Sequence, residues 1–377
     1  MTSRLKPLFA ALLCFSLPFC AWAQTSTIKV GEYASLTGKE AAFGQSSHKG
    51  TVLAIEEINA AGGVLGRKLE LVYEDNQSKP GESGTIATKL ITREKVVALL
   101  GEVASSRSRE AAIVAQKYKI PMISPSSTNP SVTEIGNYIF RVCFIDPFQG
   151  TALAKFARSH LKAKRVAIVT SVSSSYSVGL AKYFKEQFVA EGGQVVLEPK
   201  YSEGDKDFKA QLTAIKAAAP DAIFVPGYYT EAALMCKQAR DLGLTQPLFG
   251  GDGWEAPELV SIGGKAVEGC FYSTHYSPEI PTEAVKSFVK RFKARWNGET
   301  PDAMAALGYD SAAVLADAIR RAGSTDAAKI RDALAATKNL DGVTGRTTID
   351  AQRNASKPAV VVEVRNGEFR FVQSVEP

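Results

Sequence analysis

The sequence predicts an α/β chain folded as two similar lobes, each a mostly parallel sheet flanked by helices and linked to the other by crossovers. Three observations carry this. Short apolar strands alternate with helical spacings from Ile28 to Gly250, and such alternation builds a parallel sheet covered on both faces. The alternation breaks and restarts near Asp146-Pro147. In both halves the strands empty into loops of small hydroxyl and aromatic residues, at the sheet edge where ligands of open α/β folds bind.

Before the first strand stand a basic start (Arg4, Lys6), an apolar run (Leu8–Phe19) and the cleavage signal Ala21-Trp22-Ala23. This is a secretory signal peptide, residues 1–23, so the working chain is expected to begin at Gln24 and to be exported. A lipid anchor on Cys20 ranks second, because Phe19 stands where lipidation wants a small residue. No later apolar stretch approaches the roughly 20 residues of a membrane span.

The first lobe is assigned residues 24–145 and 277–345. Ile28–Ala34 reads as a strand, SLTGKEAAFG as a polar loop, and Ser46–Ala61 as a helix (Val52, Ile55 and Ile58 at helical spacing) stopped by Gly62-Gly63. Strand Lys68–Tyr73 and helix Glu82–Thr92 follow, then strand Val96–Gly101, helix Ser106–Lys117 and strand Pro121–Ser124. The last two strands discharge into Ser105, Ser106 and Ser108, and into Ser126, Ser127 and Thr128. Helix-start N–H groups beside serine hydroxyls suit a small anion such as a carboxylate.

The second lobe is assigned residues 146–276 and 346–377. Its strands Arg165–Thr170, Gly193–Glu198, Asp221–Pro226, Leu248–Gly250 and Gly269–Thr274 alternate with helices at Tyr176–Glu191, Asp207–Ala218 and Glu231–Leu242. SVSSSYS, GYYTE and GDGWE stand at three of the strand ends. Tyr276-Ser277-Pro278 reads as a second crossover, followed by helices Thr282–Trp296, Pro301–Ala322 and Asp326–Ala336. Thr347–Ile349, Ala359–Arg365 and Phe369–Gln373 are strand-like, with Asn366-Gly367 as a turn.

Without Arg4 and Lys6 the formal charge of +6 becomes +4. Both signs are interspersed, with no basic stripe for nucleic acid. Cys143, Cys236 and Cys270 remain after the leader, without a CxxC, and buried free thiols are the expectation. GxSxG, HExxH, Walker A and GxGxxG signatures are absent. His48 and His160 fall on predicted helices and His275 near a crossover, away from the serine loops, so surface or crossover roles are expected. A serine nucleophile needs an activating base, and none is evident.

Laid out this way, the chain resembles the branched-chain amino-acid binding proteins of ABC importers, which are type I periplasmic binding proteins with two Rossmann-like lobes. The resemblance rests on LTGKEAAFG with IEEINAAGGVLGRKLEL, the SSRS and SPSSTNP loops, PGYYTEAALMCKQARDLGL, and GGDGWEAPEL. It implies that Ser105 binds a ligand carboxylate, Ser126 offers its carbonyl to an ammonium, and Thr128 contacts both. Tyr176 would close over the carboxylate, Tyr228 would line the opposite wall, and Asp252 would pair with the ammonium. Phe43, Val103 and Trp254 become candidates for the side-chain pocket. It further implies no cofactor, permease subunits in the inner membrane as partners, a monomer, and closure driven by binding. Phe43 and Asp252 replace a tyrosine and a glutamate common in the family, which opens the specificity beyond leucine, isoleucine and valine. Amides, urea-like solutes and aromatic acids remain alternatives on the same scaffold, as does an exported serine hydrolase. The residues alone leave Ser106 and Ser108 as helix caps, Asp252 as a possible turn aspartate, and Arg107 as a solvated charge.

Overall fold

The computed structural model describes Thr2 and residues 27–377, so the expected signal peptide and the start at Gln24 lie, but for Thr2, outside the described residues. Two sheets form the frame. The first is parallel throughout, in the order Leu69–Asp75, Ile28–Ala34, Leu99–Leu100, Met122–Ser124, Ile139–Arg141. In the second, Gln194–Leu197, Arg165–Ile168, Ala222–Phe224, Leu248–Gly250 and Phe271–Thr274 run parallel. Ala359–Arg365 and Glu368–Val375 then add antiparallel, closing that edge with a hairpin. Each sheet changes strand order next to its first strand, which leaves a crevice at the carboxyl edge.

Most elements sit where periodicity puts them, and the differences are local. The helix expected from Ser46 begins at Ala41 and runs to Ala60, so Phe43 lies in its first turn rather than in a loop. Ser105, not Ser106, opens the helix that ends at Tyr118. The helix Ala303–Ala322 lies across Ala41–Ala60 at backbone contact. A Cβ on Gly50 would stand 1.9 Å from the Ala305 carbonyl oxygen, and one on Gly308 2.2 Å from that of Ser47. Only glycine permits this approach.

The first two crossings run at Ile145/Asp146 and across His275–Ser277. The third does not fall at 345/346. Thr347 pairs with Leu340, Ile349 N–H donates to the Thr337 carbonyl, and Ile349 and Ala355 pack in the first lobe's core with Ile28 and Val30. Passage to the second sheet comes at residues 356–358. The expected strand Thr347–Ile349 forms only isolated bridges. Lys357, within this crossing, is buried and reaches Asp310 at 3.4 Å.

Among the described residues no helix is long and apolar enough to cross a membrane. Cys143, Cys236 and Cys270 are buried and unbridged, with the last two thiols 3.9 Å apart.

Candidate ligand-binding site

The two serine-rich loops of the first lobe are knitted into one surface. Ser127 Oγ reaches the carbonyls of Glu102 and Val103, each at 3.0 Å, and Ser108 Oγ at 2.7 Å. Ser124 Oγ donates to the Glu102 carbonyl at 2.7 Å. Ser108 is therefore a tie between loops rather than the cap expected of it. Beneath them, buried Arg141 donates to the carbonyls of Ser127 and Asn129 and to the Thr133 hydroxyl. Arg141 thus holds the carbonyls that follow Ser126 and Thr128, those of Ser127 and Asn129, and fixes the run of the loop. Ser105 Oγ accepts the Asn129 N–H at 3.3 Å, while Thr128 Oγ1 is buried beside the Asp146 carboxyl.

The opposite wall comes from the second lobe. Tyr176 and Tyr228 stack with centroids 5.3 Å apart and rings 5° from parallel. Tyr176 OH accepts the Gly253 N–H at 3.1 Å, and Tyr228 OH is buried and unpartnered. Phe43, from the first lobe, sets its edge against Tyr228 at 5.5 Å and against Tyr229 at 4.9 Å. Phe43 and Val103 thus join the second lobe's apolar cluster across the cleft. Trp254 is tied into the second lobe instead. Its indole N–H donates to the Val225 carbonyl at 2.9 Å, and its ring occupies the space a Cβ on Gly250 would need.

Asp252 follows the strand Leu248–Gly250 and is 3% exposed. It is no free turn aspartate: Gln149 Nε2 donates to its Oδ1 at 2.8 Å, and His275 Nε2 meets its Oδ2 at 3.1 Å. His275, expected at the surface or in a crossover role, is in the crossover and buried, stacked 3.8 Å from Phe144. Its Nε2 also lies 3.4 Å from Ser126 Oγ. Serine, histidine and aspartate thus meet, but not as a catalytic relay. A relay uses opposite ring nitrogens for the two partners, whereas here both face Nε2 and Nδ1 has none.

Buried charge surrounds the seat. Burial pushes the Asp146 carboxyl up to about 8, and neighbouring Asp252 adds to the shift. Glu40 and Arg107 pair at 2.9 Å, each at most 3% exposed. Burial still pushes Glu40 up to about 8 against the pull of Arg107. Arg107, read from sequence as a solvated charge, is therefore interior; it also donates to the Ser78 carbonyl at 2.7 Å.

The lobes touch through polar contacts outside this seat. Ser175 N–H donates to Ser106 Oγ at 3.0 Å, Asn129 Nδ2 to the Ser175 carbonyl at 2.6 Å, and Ala42 N–H to Tyr229 OH at 3.3 Å. Lys39 pairs with Glu203 at 2.7 Å. Ser106, expected as a cap, is one of these interlobe contacts. The nine expected site residues are all buried, at most 7% exposed, and Trp254 is engaged by its own lobe.

A model of the family described as "Periplasmic binding protein" matches residues 27–368, nearly all of the described chain. The chain belongs to the periplasmic binding protein family. This binding protein is 32% identical over 327 residues, 86% of each chain, to the leucine-, isoleucine-, valine-, threonine- and alanine-binding protein of Pseudomonas aeruginosa. Among solved structures it is similar to the leucine-binding protein LivK of Thermotoga maritima (44% identity, TM-score 0.90, covering 93% of this chain and 99% of that one). The LivJ substrate-binding protein of Streptococcus pneumoniae, in complex with isoleucine, is 37% identical with TM-score 0.88, covering 93% and 100%. A Rhodopseudomonas palustris solute-binding protein in complex with p-hydroxybenzoic acid is 27% identical with TM-score 0.84, covering 93% and 98%. The two-lobe α/β architecture read from the sequence is that of these binding proteins.

Proposed function

We propose that this protein captures an amino acid, branched-chain or related aliphatic, between its lobes in the periplasm and delivers it as a monomer to the permease subunits of an ABC importer. It acts by binding and closure, without chemistry. The observation that carries the reading is the polarity of the seat: hydroxyls and a helix start on one lobe, a buried acid on the other. A zwitterion leaving water needs charge-assisted hydrogen bonds at both ends, about 1.5–3 kcal/mol each. Ser105 and the first N–H groups of its helix suit the carboxylate. Asp252, with the Ser126 carbonyl and the Thr128 hydroxyl, suits the ammonium. Phe43, Val103, Tyr176 and Tyr228 supply apolar faces for an aliphatic side chain. Binding that engages both lobes favours the shut arrangement over the open one, and the shut surface is what a permease can recognise.

The relatives named for leucine, isoleucine and valine support the aliphatic choice. A second reading, an aromatic acid, draws on the p-hydroxybenzoate-bound neighbour and on the parallel Tyr176–Tyr228 stack. A thermal-shift screen over amino acids, amides and aromatic acids separates them, since a ligand specific to the folded form raises its melting temperature. Aliphatic amino acids are expected to give the largest shifts; shifts confined to aromatic acids would replace the first reading with the second.

A further inference from the structure

Asp252 is held by one residue just past the first crossover and one within the second. Gln149 lies in the first turn of Asp146–Ser159, immediately after the first crossing, with its backbone N–H on the Ile145 carbonyl. Its amide donates to Asp252 Oδ1 at 2.8 Å and to Ser273 Oγ at 3.0 Å, so both side-chain protons are engaged. His275 lies in the second crossing, directly after the strand Phe271–Thr274. Its ring is fixed by stacking on Phe144, and its Nε2 faces Asp252 Oδ2. With Nδ1 buried and unpartnered, a proton there would be stranded, so the Nε2–H tautomer donates to Asp252. An ionised carboxylate has about four acceptor directions. Two are taken by these donors, one per oxygen, and those left are set by where Gln149 and His275 stand.

We propose that Gln149 and His275 are positioning residues that aim the Asp252 carboxylate and so set the preference for ligands with an α-ammonium over acids that lack one. The inference rests on the amino-acid reading above and deepens it. A short aspartate reaches less far than a glutamate and tolerates less rotation before its free lone pairs miss a bound ammonium. Aim also depends on the crossovers: if either shifts, one donor leaves and the acid turns. Neither residue needs to touch the ligand for this, which makes discrimination, rather than total affinity, the quantity they govern.

Calorimetric titration with leucine and with 4-methylpentanoate, which is leucine without its ammonium, tests this on the whole protein. The variants are His275→Phe, His275→Gln and Gln149→Met. His275→Phe keeps an aromatic ring against Phe144 and loses the donor; it is expected to weaken leucine by about 10-fold or more, the scale of one hydrogen bond to a charged group, and to leave 4-methylpentanoate unchanged. His275→Gln returns an N–H donor and is expected to recover most of the leucine affinity. Gln149→Met reports on the other crossover should His275→Phe fail to fold, and is expected to lower the leucine to 4-methylpentanoate ratio likewise. Parallel loss of both ligands, or an unchanged ratio, in variants that melt like the parent would overturn the proposal and leave the amino-acid reading standing. A parent protein that binds 4-methylpentanoate as tightly as leucine would remove that reading itself.

Discussion

The two walls of the cleft solve the same problem by different means. The first-lobe wall is made of backbone and short hydroxyls, cross-tied by Ser108, Ser124 and Ser127 and backed by Arg141. Its bonds lie within one lobe, so it keeps its shape whether or not the lobes meet. The second-lobe wall is made of two stacked tyrosines and one acid whose donors come from the second crossover and from the helix that follows the first. Its geometry is tied to the relation between the lobes. A rigid seat on one side and a conditional acid on the other place most of the discrimination on the second lobe.

That contrast can be broken by mutation. Asp252→Ala is expected to have the largest effect: loss of the only carboxylate proposed for the ammonium should cost about 3–5 kcal/mol, or roughly 100-fold or more in affinity for leucine. The measurement is calorimetry beside a melting curve that confirms the fold. Ser105→Ala with Thr128→Val should cost about 10–100-fold, the scale of one hydrogen bond to a charged group at roughly 1.5–3 kcal/mol, since the helix-start N–H groups still hold the carboxylate. If the double variant lost more than Asp252→Ala, discrimination would sit on the first lobe and the comparison would reverse.

A subtler prediction concerns pH. Burial raises Asp146 from 3.8 to about 8, so between those values the folded chain holds a proton that the unfolded chain has released. Stability contributed by this group therefore falls as pH rises from about 4 to about 8 and is level beyond. Asp146→Asn should flatten that slope, read from urea midpoints at pH 5 and pH 8; an unchanged slope would show that Asp146 is not what titrates. Smallest is the rim. Lys39→Met removes a partly exposed pair with Glu203, worth about 1 kcal/mol or less, and should change leucine affinity by no more than about 5-fold, vanishing at high salt. A larger, salt-insensitive loss would move the closure energy from the seat to its rim.

The sheets, the first two crossovers and the loops that bear Ser105, Ser126, Thr128, Tyr176, Tyr228 and Asp252 were legible because each follows from a local rule: a strand ends, and polar residues begin. The third crossing was not, since residues 347–355 carry strand-like composition while their partners, Leu340 and Thr337, make them part of the first lobe. His275 and Gln149 were missed for a related reason. Nothing beside either residue marks it; only the fold brings positions 149, 252 and 275 together. Arg107 reads as solvated until Glu40, from a loop 67 positions earlier, is folded over it. Trp254 shows the opposite failure, a residue in a ligand-type loop whose indole is engaged by its own lobe.

The late third crossing has a consequence for how the chain comes to be built. The first lobe's core receives Ile349 and Ala355 only after the strands of the second sheet from Arg165 to Thr274 have been made, and that sheet receives its closing hairpin later still, at residues 359–375. Neither half can complete its core early in synthesis. Neither lobe is therefore a contiguous stretch of chain, and neither could be cut out whole without taking part of the other.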